Sequence, residues 1–342
     1  MGCKQSRDSP KTPYEANELS QEAGAVGTGL LEVPVDDYLT CIYGLRNGDF
    51  AVAGGEGWLY IYSSEGKQTV KLRAHRKAVN RVLEAADGSF FSASSDGTVL
   101  RWKGLKEGQE IQEPVQKFEG HILAVSAMDL LEAGLFTGSR DCCVMLWDLE
   151  TAQSIQKNKI LRNVVTAARR CSAHTVVQAS EDLQLRLWDS RSSLGKGPVM
   201  AVRAGPNQLI CLDVPQADAE NGGASWLACG SKGFSRENCE VKVFDLRGSL
   251  RQQAALACAD QTIEALQCLG RDQCLIASKD VHLRAIALPQ PEVLWERRGS
   301  HAGYTALGLA SSRCLAASVS ADRVALELLA VGEEAKLLAS SG

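Results

Sequence analysis

HRKAVNRVLEAADGSFFSASSDGTVLRW, residues 75 to 102, is matched at 121 to 147 by HILAVSAMDLLEAGLFTGSRDCCVMLW and at 301 to 328 by HAGYTALGLASSRCLAASVSADRVALEL. Each stretch opens on His and runs through an apolar segment into a turn. A second segment then ends in small residues, an Asp marks another turn, and a third apolar segment follows. Short apolar runs punctuated by Gly, Asp and Ser read as three β-strands joined by tight turns. One such unit cannot bury its own apolar face, so its recurrence implies copies packed on one another.

Working outward from these copies sets their number. A large apolar residue stands six positions after the turn residue in Asp96 to Trp102, Asp141 to Trp147, Asp182 to Trp188, Asp280 to Ile286 and Asp322 to Leu328. The same offset joins Glu56 to Tyr62 and Asn238 to Phe244. The seven anchors are spaced by 40, 45, 41, 56, 42 and 42 residues, close to the length of one four-stranded propeller blade. With LWD at 146–148 and 187–189 and GH at 120–121, the chain resembles the WD-repeat family over about residues 30 to 340. The resemblance implies an all-β fold, a seven-bladed WD-repeat β-propeller with a disordered N-terminal tail. Residues 1–29 form the tail, and residues 30–342 form the ring. LLEVPV at 30–35 is expected to pair as the outer strand of the last blade, with AKLLAS at 335–340 as its competitor.

In this family a hydroxyl and an indole N–H extend a His–Asp pair into a tetrad that stiffens a blade. The resemblance assigns it to His75, Ser92, Asp96 and Trp102 in blade 2, and to His121, Thr137, Asp141 and Trp147 in blade 3. Blade 7 offers a shorter version in His301, Ser318 and Asp322, because Leu328 replaces the Trp. Ser, His and Asp together also suggest a hydrolase triad. An active site does not recur with every repeat, so the set is read as structural and the chain as no enzyme, with no catalytic residues, cofactor or small-molecule substrate.

Composition narrows the partners. Of 342 residues, 45% are hydrophobic and 23% charged, which is ordinary for a folded domain. The net charge of -4 and the lack of a Lys/Arg cluster interleaved with aromatics argue against nucleic acid. The twelve cysteines show no C-x-x-C pairs and no accompanying His pattern, so they read as reduced thiols with no metal site. GAVGTG at 24–29 has no Lys-Ser/Thr end and reads as a linker.

By their positions in the family pattern, Tyr38, Arg76, Ser95, Arg140, Arg162, Glu181, Glu237, Lys279 and Tyr304 point to the binding face of the ring. Their mixture of Tyr and Arg with other charges suits a protein partner. Phe234, in the long turn at 230–240, either folds back on its blade or meets a partner. Arg191 and Arg247 occupy equivalent places in WDSR and FDLR. They are similar to the paired W-D-x-R boxes of substrate receptors for a cullin-type ubiquitin ligase, or they close the turns after their strands.

Residues 162–191 and 229–247 resemble most the WD repeat-containing protein 31 branch of the family, which is associated with cilia. That likeness implies a scaffold in ciliary trafficking or at the ciliary membrane and basal body, with ciliary trafficking machinery or small-GTPase regulators as partners. The opening MGCKQS agrees. Gly2 and Ser6 fit the N-myristoylation pattern, and one such chain holds a protein only marginally without a second signal, for which Cys3 is the candidate. The expected location is the cytoplasmic face of a membrane, at the cilium or its base, and otherwise the cytoplasm.

Overall fold

The structure, a computed structural model, describes residues 29–33, 37–103, 113–215, 222–299, 303–311, 313–319 and 324–330. Among these, 28 strands form seven four-stranded antiparallel sheets. Six sheets are simple meanders. The seventh takes Tyr304–Ala310, Arg313–Val319 and Val324–Ala330 from the end of the chain and Gly29–Val33 from its beginning. Gly29–Val33 pairs antiparallel with the last strand, from Gly29 opposite Leu328 to Val33 opposite Val324. AKLLAS lies outside the described residues.

The sheets are the blades. Their innermost strands are Leu39–Gly44, Val79–Glu84, Val125–Leu131, Val165–Arg170, Leu209–Asp213, Ile263–Leu269 and Tyr304–Ala310, each packed beside the next and the last beside the first. Their closeness at the seam between blades 7 and 1 requires glycine. A Cβ on Gly44 would stand 1.6 Å from the Leu309 carbonyl oxygen, and one on Gly308 would stand 2.3 Å from Ile42 Cγ2.

Every innermost strand carries a bulge between its first and third residues. The bulged residue turns toward the neighbouring blade. In five blades its side chain donates to the carbonyl of the first residue in an adjacent innermost strand. Thr40 reaches Val79, Asn80 reaches Val125 at 2.8 Å, Ser126 reaches Val165 at 2.6 Å, Thr166 reaches Leu209 at 2.8 Å, and Thr305 reaches Leu39 at 3.3 Å. Blade 5 has Ile210 at this place, and the next residue, Cys211, makes the contact to Ile263 through its thiol at 3.5 Å. At the other end of these strands Glu84, Asp129 and Asp213 accept the backbone N–H of Arg46, Arg170 and Cys268 in neighbouring blades, each at 2.8 Å.

Apolar side chains fill the spaces between blades. The buried residues fall into seven clusters, each spanning two adjacent blades, as where Leu39, Ile42 and Phe50 of blade 1 meet Leu315 and Leu326 of blade 7. No blade has a core of its own, so the stability of each depends on its neighbours.

Candidate protein-docking face

In an antiparallel meander, the loop entering each blade and the turn between its second and third strands lie at the same end of the ring. The polar networks set the geometry of this end. In blade 2, His75 Nδ1 lies 3.1 Å from Asp96 Oδ2 and Nε2 lies 2.8 Å from Ser92 Oγ, which accepts the Trp102 indole N–H at 2.9 Å. Blade 3 repeats the chain, with His121 to Asp141 at 3.0 Å, His121 to Thr137 at 2.8 Å and Trp147 to Thr137 at 2.8 Å. Burial works against both carboxylates. Hydrogen bonds from His75 and Thr98, and from His121 and the Ile122 backbone, nonetheless hold Asp96 and Asp141 well below the usual carboxylate range. The side chains are spent on fixing two loops to their blades, and no hydroxyl is left free as a nucleophile. In blade 7, Ser318 is buried, while His301 and Asp322 lie outside the described residues.

Other blades solve the same problem with sets that the sequence pattern singled out only in part. In blade 4, Trp188 donates to Gln178 Oε1 at 2.9 Å and Gln178 donates to Asn163 Oδ1 at 2.6 Å. Arg186 binds Asn163, Ser180 and Asp182 from the same pocket. Asn163 thus stands where blades 2 and 3 have His. Blade 6 uses Arg284 with Ser278, Asp280 and Glu296. In blade 1 the carboxylate comes from the entering loop: Asp37 accepts the Glu56 N–H at 2.9 Å and the Tyr60 hydroxyl at 3.3 Å.

Among the described residues, five of the nine exposed large hydrophobics project from the loops at this end: Tyr38 at 54%, Ile122 at 79%, Leu123 at 53%, Leu161 at 82% and Phe234 at 75%. The other four, Val115, Ile155, Val199 and Val293, belong to the outer strands and their margins. Arg76, Arg140, Arg162, Glu237 and Lys279 are exposed at the docking end, and Ser95 and Glu181 are partly so. Arg140 reaches Glu181 at 3.5 Å and Lys279 reaches Glu264 at 2.9 Å. Phe234 stands out from its turn.

Tyr304 corrects the expectation. It is fully buried and donates its hydroxyl to Glu327 Oε2 at 2.8 Å. As the first residue of an innermost strand it takes the inward place of Leu39 or Val79, which the bulge geometry keeps off the surface. Ile122, Leu123 and Leu161 were missed, although an apolar pair directly after the GH dipeptide, in a turn, was the signal available.

At the opposite end of the ring a cavity of about 680 Å³ opens around Arg46, Asp129, Arg169 and Asp213. Arg169 Nε lies 2.9 Å from Asp213 Oδ1. Burial pushes the Asp213 carboxyl up even though Arg169 opposes the shift. Turns between the third and fourth strands also lie at this end. There the Arg191 guanidinium returns to Asp189 at 2.7 and 3.0 Å, and that of Arg247 returns to Asp245 at 3.3 and 3.4 Å. These arginines close their own turns. Among the described residues no cluster of His, Cys, Asp and Glu could hold a metal ion.

The WD domain, G-beta repeat family matches residues 66–103 and 112–148, which hold most of blade 2 and all but the outer strand of blade 3. The chain is a seven-bladed β-propeller with WD40 repeats. The propeller is also similar to the ribosome biogenesis protein WDR12 homolog of Drosophila persimilis, 28% identical over 137 residues, or 36% of this chain and 32% of the relative. The homolog of Drosophila virilis is 26% identical over 152 residues, covering 40% and 36%. The propeller therefore aligns with about a third of the length of these relatives. Their names contradict the expected role in ciliary trafficking and membrane assembly. The ubiquitin-ligase alternative is not supported by them either.

Proposed function

We propose that the propeller is a non-catalytic protein-binding platform that serves in ribosome biogenesis, docking a protein partner on the loop face that carries Tyr38, Ile122, Leu123, Leu161 and Phe234. The observation that carries the reading is the collection of five exposed apolar side chains at one end of the ring. Apolar and aromatic residues on a rigid base are the anchors that protein interfaces use. The process comes from the relatives named for it. The proposal follows these relatives rather than the narrower likeness to WD repeat-containing protein 31.

The test is sucrose-gradient sedimentation of the tagged full chain from growing cells, wild type against Ile122→Asp/Leu161→Asp. The expected result is wild type in the pre-ribosomal fractions and the variant in the light fractions, with equal thermal stability. Both proteins at the top of the gradient would overturn the reading.

The MGCKQS opening, which lies outside the described residues, supports a separate proposal. In it, Gly2 carries myristate, Cys3 carries a second acyl chain, and the chain sits at the cytoplasmic face of a membrane. Intact mass and membrane pelleting of wild type, Gly2→Ala and Cys3→Ser decide it. An unmodified mass refutes acylation, whereas a fully acylated, membrane-bound pool would count against ribosome assembly.

A further inference from the structure

Residues 67 to 77, KQTVKLRAHRK, hold five Lys and Arg and no Asp or Glu, in a chain whose net charge is -4. They form the outer strand of blade 1, Gln68–Arg73, and the loop into blade 2, and all five cations are exposed. Several arginines elsewhere on the ring are tied to a carboxylate, as in Arg101–Asp87, Arg186–Asp182 and Arg236–Asp260. Among the described residues no carboxylate pairs with Lys67, Lys71, Arg73, Arg76 or Lys77. Strand pairing adds what the linear sequence hides: Trp58 lies opposite Arg73, with Lys71 Nζ 4.6 Å and Arg73 Cζ 5.4 Å from its ring centroid.

Beside this cluster runs a groove of about 490 Å³ between the outer parts of blades 1 and 2. Arg73, Arg76 and Lys117 supply its cations, Leu100 and Pro114 are apolar lining, and Val115, next in sequence to Pro114, is 53% exposed. Two carboxylates also line it, Glu119 paired with Lys117 and Asp96 held by His75.

We infer that this groove takes an acidic, extended segment of a partner protein, its carboxylates meeting Arg73 and Arg76 and an apolar side chain resting against Pro114 and Val115. Two features favour such a segment over single-stranded RNA. Bases need a free aromatic face to stack on, and Lys71 and Arg73 already occupy Trp58. Glu119 would also repel a phosphate chain of unbroken charge, whereas a peptide can space its carboxylates to avoid it. The inference rests on the reading of the propeller as a protein-binding platform, but it assigns a second surface, separate from the loop-face hydrophobics.

The test is fluorescence anisotropy of a labelled Glu-rich peptide with one central Leu, titrated with the full chain at low and at high salt. Arg73→Glu/Arg76→Glu should weaken binding about tenfold or more, since like charges then face each other. Added salt should weaken wild type more than this variant. Both side chains are exposed and, among the described residues, lack ion-pair partners, so the fold should hold, and the milder Lys71→Ala/Lys77→Ala should show a smaller loss. Ile122→Asp/Leu161→Asp should bind the peptide like wild type, which separates this groove from the docking face. The inference is overturned if wild type does not bind at low salt, if the charge reversal leaves affinity unchanged, or if poly(U) binds more tightly than the peptide.

Discussion

Thr137→Val tests whether the polar chains hold the blades together. Thr137 is fully buried, and its hydroxyl is the shared partner of His121 Nε2 and Trp147 Nε1, each at 2.8 Å. Valine keeps the shape and removes the oxygen, so a buried indole N–H and an imidazole nitrogen both lose their partner. An unsatisfied buried polar group costs about 1–3 kcal/mol, which puts the pair at about 2–6 kcal/mol. That is a large part of the roughly 5–15 kcal/mol that stabilises a typical domain. Urea unfolding followed by tryptophan fluorescence should show the midpoint falling by about 1 M, for a slope near 3 kcal/mol per M. Thr137→Ser, which keeps the hydroxyl and removes one methyl, should lose only about 1 kcal/mol. Equal midpoints for Val and wild type would refute the reasoning, because the hydroxyl would then contribute nothing that a methyl does not.

The bulge contacts predict a smaller effect: Thr166→Val removes the 2.8 Å bond to Leu209 and should cost about 1 kcal/mol in the same titration. Gly44→Ala places a carbon 1.6 Å from a neighbouring backbone oxygen. It should lower stability by about 3 kcal/mol or more through forced separation of blades 7 and 1, visible as a lower melting temperature. Asp96 and Asp141 have folded pKa values below their unfolded ones. Their contribution is complete above the unfolded value near ~3.9 and is lost as pH falls through the lower folded values. Asp96→Asn should therefore flatten the fall of stability with acid below about pH 4, measured by urea midpoints across pH.

Legibility differed by residue. His75, Ser92, Asp96 and Trp102 could be picked out because all four recur at matching offsets in the next blade, and they meet within hydrogen-bond distance. Asn163 and Gln178 perform a related task in blade 4 without any recurring pattern, and with Arg186, which recurs as Arg284 in blade 6, they become a set only when the fold brings them together. Tyr304 was placed on the surface by its position relative to a loop, whereas the bulge sets which neighbour turns inward. Ile122 and Leu161 look like core residues in a one-dimensional reading, yet both end on loops.

By itself the sequence determined the repeat, the number of blades and the all-β class, because these follow from local alternation and a period of about forty residues. Tertiary structure alone decided which side chains face a partner. It also decided how blades without the His–Asp pair satisfy their buried groups, and where cations from a strand and a loop gather around Trp58. Those outcomes depend on contacts between residues far apart in the chain, and a repeat pattern carries no information about its own departures.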